Sequence, residues 1–111
     1  LEICRGSGLR ARLRLDDLPV IESALAFARD GIATGASTRN WAGYGADVSL
    51  PPGSPVWQQK LITDPQTSGG LLVSCAPQAA EAVLALFREE GFDRAAVIGE
   101  FSDGDAGVEI V

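Results

Sequence analysis

Histidine is absent from the chain. That removes the side chain that most often moves protons near neutral pH and most often binds transition metals. Any chemistry here falls to carboxylates, hydroxyls, arginines and backbone amides. Cysteine is scarce: Cys4 and Cys75 are the two present, too far apart in sequence for a Cys-x-x-Cys pair. Two buried free thiols in a reducing compartment are the expected state. No apolar run approaches the ~20 residues that span a bilayer, and no basic, apolar and small-residue succession marks a secretory signal. No lysine- or arginine-rich cluster offsets the net charge of −6. An acidic domain repels a phosphate backbone, which argues against nucleic-acid binding. A soluble, cytoplasmic domain is therefore expected, and a start at Leu1 rather than Met reads as that of a fragment or processed product.

What is present suffices for one domain over residues 1–111. Hydrophobic residues make up 46% and charged residues 22%, near the averages for globular proteins. At this length folding buries roughly two-thirds of the surface an unfolded chain exposes.

Leu9, Ala11, Leu13 and Leu15 alternate with Arg10, Arg12 and Arg14, and a period of two predicts a strand. Its arginine face suits either an anion or plain solvent. Asp16-Asp17-Leu18-Pro19 precedes Ile21, Ala24, Leu25 and Ala28 at helical spacing, and Gly31 ends that helix. From Ile32 to Pro55 the chain lacks steady periodicity and reads as a long shaped loop. Ser54-Pro55 opens a short helix through Leu61. Leu71 to Cys75 is a short apolar run bounded by glycine and proline, predicting a buried strand. Pro77 opens a helix whose stripe is Ala80, Val83, Leu84 and Phe87, closed by Gly91. Ala95 to Phe101 and Val108 to Val111 predict two more strands, with Asp103-Gly104 as a hairpin signal. This order predicts an α+β domain: layered, with helices packed on a mixed, largely antiparallel sheet.

Thr63-Asp64-Pro65-Gln66-Thr67-Ser68-Gly69-Gly70 carries the most chemical information. Pro65 blocks helix continuation and pushes Asp64 toward extended backbone. Thr67 and Ser68 supply hydroxyls, while Gly69 and Gly70 let a ligand approach the amides. Consecutive N–H groups of this kind can form an anion-binding nest. Asp64 suits a Mg²⁺ ligand or a cap on its own loop. The segment is no Walker-type loop, since it lacks a Gly-Lys-Ser/Thr ending and a strand, not a helix, is expected after it. A tight structural turn and a ligand loop both satisfy these features.

Leu61 to Leu72 resembles the Asp-Pro-Gln-Thr-Ser-Gly-Gly-Leu-Leu segment of selenophosphate synthetases. Other features follow in the family's order. Gly6-Ser7-Gly8 leads into the arginine-rich strand. Gly35-Ala36-Ser37-Thr38-Arg39-Asn40 is similar to the family's Gly-Gly-Thr-x-x-Asn loop, with Ala36 and Ser37 as departures. Tyr44-Gly45 and Ile98-Gly99-Glu100 follow. The resemblance implies a fold like the C-terminal domain of aminoimidazole ribonucleotide synthetase. It implies a reaction that turns ATP, selenide and water into selenophosphate, AMP and orthophosphate, with Mg²⁺ as cofactor. The family's catalytic Cys or selenocysteine lies in an N-terminal half, so no catalytic residue is expected in this chain and neither Cys4 nor Cys75 matches it. ATP and Mg²⁺ are expected in the full-length enzyme and not bound to this part alone.

By the same resemblance, the partners are the protein's own N-terminal ATP-binding domain and, through that domain, a second copy. Thr67, Ser68, Gly69 and Gly70 are expected to shape the phosphate or selenide side of the site. A second loop, Thr38-Arg39-Asn40, is expected to line the site as well, with Arg39 and Asn40 as mobile contacts. Two alternatives stay open at this point: another enzyme of the same superfamily, such as aminoimidazole ribonucleotide synthetase or a hydrogenase-maturation protein, and a free-standing binding domain without activity.

Overall fold

A computed structural model describes residues Leu1–Val111. Five helices, α1 (Glu2–Ser7), α2 (Glu22–Arg29), α3 (Gly35–Tyr44), α4 (Val56–Ile62) and α5 (Ala80–Glu89), combine with four strands. The strands are β1 (Leu9–Leu13), β2 (Val48–Ser49), β3 (Gly99–Asp103) and β4 (Gly107–Ile110), joined in one sheet of order β2-β4-β1-β3. The α+β class read from the sequence holds. The sheet is mixed but not largely antiparallel: β1 pairs antiparallel with β3, whereas the β1–β4 and β4–β2 pairings are parallel.

The alternation in β1 works as a period of two should. Ala11 is buried with Val108 and Ile110 of β4 and Cys4 of α1, and Leu13, Leu15, Val48, Leu50, Ile62 and Phe101 pack around this nucleus. On the opposite face Arg12 meets Glu109 at 3.6 Å and Arg14 pairs with Asp17. Arg10 donates weakly to Ser49. The arginine stripe is thus a solvated sheet face with local partners. Such exposed pairs each contribute under about 1 kcal/mol.

Both amphipathic helices stop by one device. Gly31 (φ 84°) and Gly91 (φ 87°) adopt the left-handed conformation just past α2 and α5. The Ile32 and Phe92 amides then reach back 2.8 Å to the Phe27 and Phe87 carbonyls, while the Gly31 and Gly91 amides reach those of Ala28 and Arg88. This is the Schellman arrangement, in which the residue after the glycine also packs on the last turn. Phe87 and Phe92 do so edge to face, with centroids 6.2 Å apart.

Three sequence expectations are corrected. The stretch Ile32 to Pro55 is not one long loop, because α3 and β2 lie inside it. The hairpin signal at Asp103-Gly104 does make a turn, but β3 and β4 do not pair with each other; β1 lies between them. Third, Leu71 to Cys75 forms no strand, and Leu71 (79%) and Leu72 (59%) are exposed. Both positions beside β1 are occupied by β3 and β4, so the run does not enter the centre of the sheet, and it pairs with neither edge strand, β2 or β3. Cys75 is consequently exposed rather than a core thiol, while Cys4 is buried as expected and both are free.

Of the glycines, Gly99 faces the tightest backbone approach. A Cβ at that position would stand 2.1 Å from the Arg12 carbonyl oxygen and 2.8 Å from Leu13 Cδ2. Gly99→Ala must therefore push β3 off β1. We expect a loss of about 1–3 kcal/mol, the usual cost of overpacking, read as a lower Tm. A Tm equal to wild type would show that the strands yield without cost.

Candidate functional site

The Asp64–Gly70 segment begins where α4 ends, and α3 holds that junction. Thr34 is the N-cap of α3, its hydroxyl accepting from the Ser37 amide at 3.4 Å. The same hydroxyl donates to the Asp64 carboxylate at 3.3 Å, setting that charge at the helix N-terminus, where the peptide dipoles favour it. Nearly two turns on, Asn40 Nδ2 donates to the Thr63 carbonyl at 2.9 Å. The Thr63 hydroxyl is 2.8 Å from the Gln59 carbonyl and 3.2 Å from that of Ser37. Terminal carbonyls of α4 that lack intrahelical partners are thus met by side chains.

Ser37 is the one fully buried polar side chain, at 1% exposure. It lies 3.3 Å from the Thr34 hydroxyl, so no buried side-chain polar atom lacks a partner. Ser37, Asn40 and Trp41 form the inward face of α3.

These contacts sort the expected site residues. Asn40 and Asp64 fall in one hydrogen-bonded cluster. Asn40 is on a helix rather than a loop, and its amide is engaged with Thr63. Thr38 and Arg39 lie on the exposed side of α3, also helical rather than in a loop, with the Arg39 guanidinium folded back toward Gly35. Thr67, Ser68, Gly69 and Gly70 are all exposed. The Gln66 side chain lies over Gly69, its Oε1 3.2 Å from where a Cβ would stand, whereas Gly70 has open space. No hydrogen bond joins Thr67–Gly70 to Thr38 or Arg39.

The sequence reading missed Thr34, and it assigned no role to Ser37 or Thr63 although both lie in the segments it singled out. The available signal was Thr34 itself, an N-cap residue type three positions before Ser37.

A shallow cleft of about 310 Å³ adjoins the cluster between α2 and α4, with Phe27, Ile32 and Leu61 as apolar wall and Thr34, Lys60 and Asp64 at its polar side. Arg29 stacks over Trp57 at 5.2 Å and ties the same two helices. On the far side of α3, Arg5 donates to Asp47 at 2.5 Å and lies over Tyr44. The Asp47 hydrogen bond and then its charge raise the Arg5 guanidinium above its ordinary pKa. No group of three or more Cys, Asp and Glu side chains is gathered for a metal ion. No helix is long and apolar enough to cross a membrane.

Over residues 1–111 the chain matches the family described as AIR synthase related protein, C-terminal domain. It is 57% identical over 110 residues to a selenide, water dikinase of Burkholderia pseudomallei (strain K96243), covering 99% of this chain and 31% of that protein. A selenide, water dikinase of Dechloromonas aromatica (strain RCB) is 50% identical over 111 residues, covering all of this chain and 32% of the relative. One of Rhizobium meliloti (strain 1021) is 47% identical over the same length. The chain spans about a third of the length of these relatives.

Proposed function

The chain belongs to the AIR synthase related C-terminal domain family, and from that membership we propose that it is the C-terminal domain of a selenide, water dikinase. The proposed reaction converts ATP, selenide and water into selenophosphate, AMP and orthophosphate. One observation carries the reading: the unbroken Asp64-Pro65-Gln66-Thr67-Ser68-Gly69-Gly70 segment, exposed and anchored at its head, on a chain similar along its whole length to enzymes of that name.

In this reading Thr67 and Ser68 present hydroxyls, and Gly69 and Gly70 present amides, to the charged oxygens of a transferring phosphoryl group. Donors fixed before reaction stabilise developing charge without reorganising. Thr38 and Arg39, exposed on α3, border the same site. Covering it also keeps water from a phosphorylated intermediate. Asp64 belongs to no group of three or more potential metal ligands and has its carboxylate engaged by Thr34, so these residues alone do not fit a Mg²⁺ ion. We assign the metal, the nucleotide, the catalytic nucleophile and the homodimer contacts to the remaining two-thirds of the protein. The exposed apolar run Leu71, Leu72 and Val73 is consistent with burial against that part, since contiguous exposed apolar surface marks an interaction site. A cytoplasmic location, which keeps Cys4 and Cys75 reduced, goes with this reading.

The test compares the full-length protein with residues 1–111 alone. Full-length protein is expected to release AMP from Mg-ATP only when selenide is present. The isolated part is expected to release none and to bind Mg-ATP no tighter than millimolar by isothermal titration. Selenide-independent AMP release, or none at all from the full-length protein, sinks the reading.

A further inference from the structure

We infer that Asn40 is a positioning residue, whose side-chain amide fixes the Asp64–Gly70 segment by holding the carbonyl of Thr63. The inference rests on the proposed role of that segment and adds how it is kept in place. Thr63 is the last residue before the segment, and its backbone has left the helix (φ −110°, ψ 11°). Beyond Pro65 the chain makes no hydrogen bonds to the rest of the fold until the turn that opens α5. The orientation of Thr67 to Gly70 is therefore decided at its head. Besides the Thr63 hydroxyl, which holds the Ser37 and Gln59 carbonyls, two side chains reach this head from α3 and its N-cap: Asn40 on the Thr63 carbonyl at 2.9 Å, and Thr34 on the Asp64 carboxylate at 3.3 Å.

Of the two, Asn40 makes the shorter bond and is half-buried, whereas Asp64 is exposed. A neutral amide on a carbonyl also carries little salt or pH dependence, so the grip persists while charges change nearby. Nothing else donates to the Thr63 carbonyl. The Asn40 amide thus has a single task at the segment's head, and Ser37, one turn earlier on the same face, buries α3 against α4 so that the reach is fixed.

The full-length protein carrying Asn40→Asp keeps the side-chain shape and replaces the donor with an acceptor facing a carbonyl. Exchange of the Asp64 amide, which bonds the Leu61 carbonyl at 3.3 Å, is expected to rise about tenfold, the scale of one hydrogen bond. kcat for selenophosphate formation is expected to fall by a similar factor with KM for ATP unchanged. Asn40→Gln, which retains an amide donor, is expected to recover part of both. Unchanged exchange at the Asp64 amide overturns the inference. Faster exchange with wild-type kcat also overturns it, and shows that the reading of the segment as part of the active site is what failed. If Asn40→Asp does not fold, Asn40→Ala removes the same donor without adding a charge, and wild-type exchange and kcat in that variant overturn the inference equally.

Discussion

Full-length protein carrying Thr67→Ala and Ser68→Ala together is expected to lose about a hundredfold in kcat, the scale of removing a preorganised donor to a developing oxyanion, while melting as the wild type does. The two halves of that expectation have separate physical sources. Thr67 and Ser68 are exposed, and neither side chain makes a hydrogen bond within the chain. Truncating such groups changes stability by no more than about 0.5 kcal/mol. Hydroxyls that stabilise nothing in the fold, on a segment clamped at its head by Asn40 and Thr34, have no structural work to lose. A large kinetic effect without a thermal one therefore locates them at the reacting phosphoryl group. Unchanged turnover with unchanged melting would reduce the segment to a turn between α4 and α5.

How much of this was legible in the sequence depends on where each element finds its partners. β1 was legible because its two faces differ sharply, Ala11 and Leu13 inward and Arg10 and Arg12 outward, and that contrast is written in consecutive residues. The ends of α2 and α5 were legible because Gly31 and Gly91 carry a local backbone requirement. Helix α3 was not, for its inward face is Ser37, Asn40 and Trp41, and a polar face earns its burial through hydrogen bonds to Thr63 that lie more than 20 residues away. The strand order failed for a similar reason. Asp103-Gly104 signals a turn, yet only the long-range pairing of β1 decides that it slips between β3 and β4. At the site, the family resemblance pointed to Asp64–Gly70, and the side chains that hold it belonged to a helix the periodicity did not show.

The second large effect concerns stability, and it separates the nucleus of the fold from its uncovered surface. Eight of 111 residues are buried, so each contributes a large share of the core. Ile110, 4% exposed, packs with Cys4, Ala11 and Val108 on the central strands. Ile110→Ala removes three carbon atoms from a site where β1 and β4 are both hydrogen-bonded and cannot collapse inward. A cost of about 2–5 kcal/mol is expected, against a total of about 5–15 kcal/mol for an ordinary domain. In residues 1–111 alone Tm should fall by about 10 °C or more, and urea midpoint should fall with it. Leu71→Ala supplies the contrast. At 79% exposure it should be nearly silent in the isolated chain, within about 0.5 kcal/mol. In the full-length protein the same change should become costly if the remaining two-thirds covers that surface. A Leu71→Ala loss as large as that of Ile110→Ala in the isolated chain would mean that the apolar run packs as a core strand after all, and one that is silent in both forms would leave it without a partner in the enzyme.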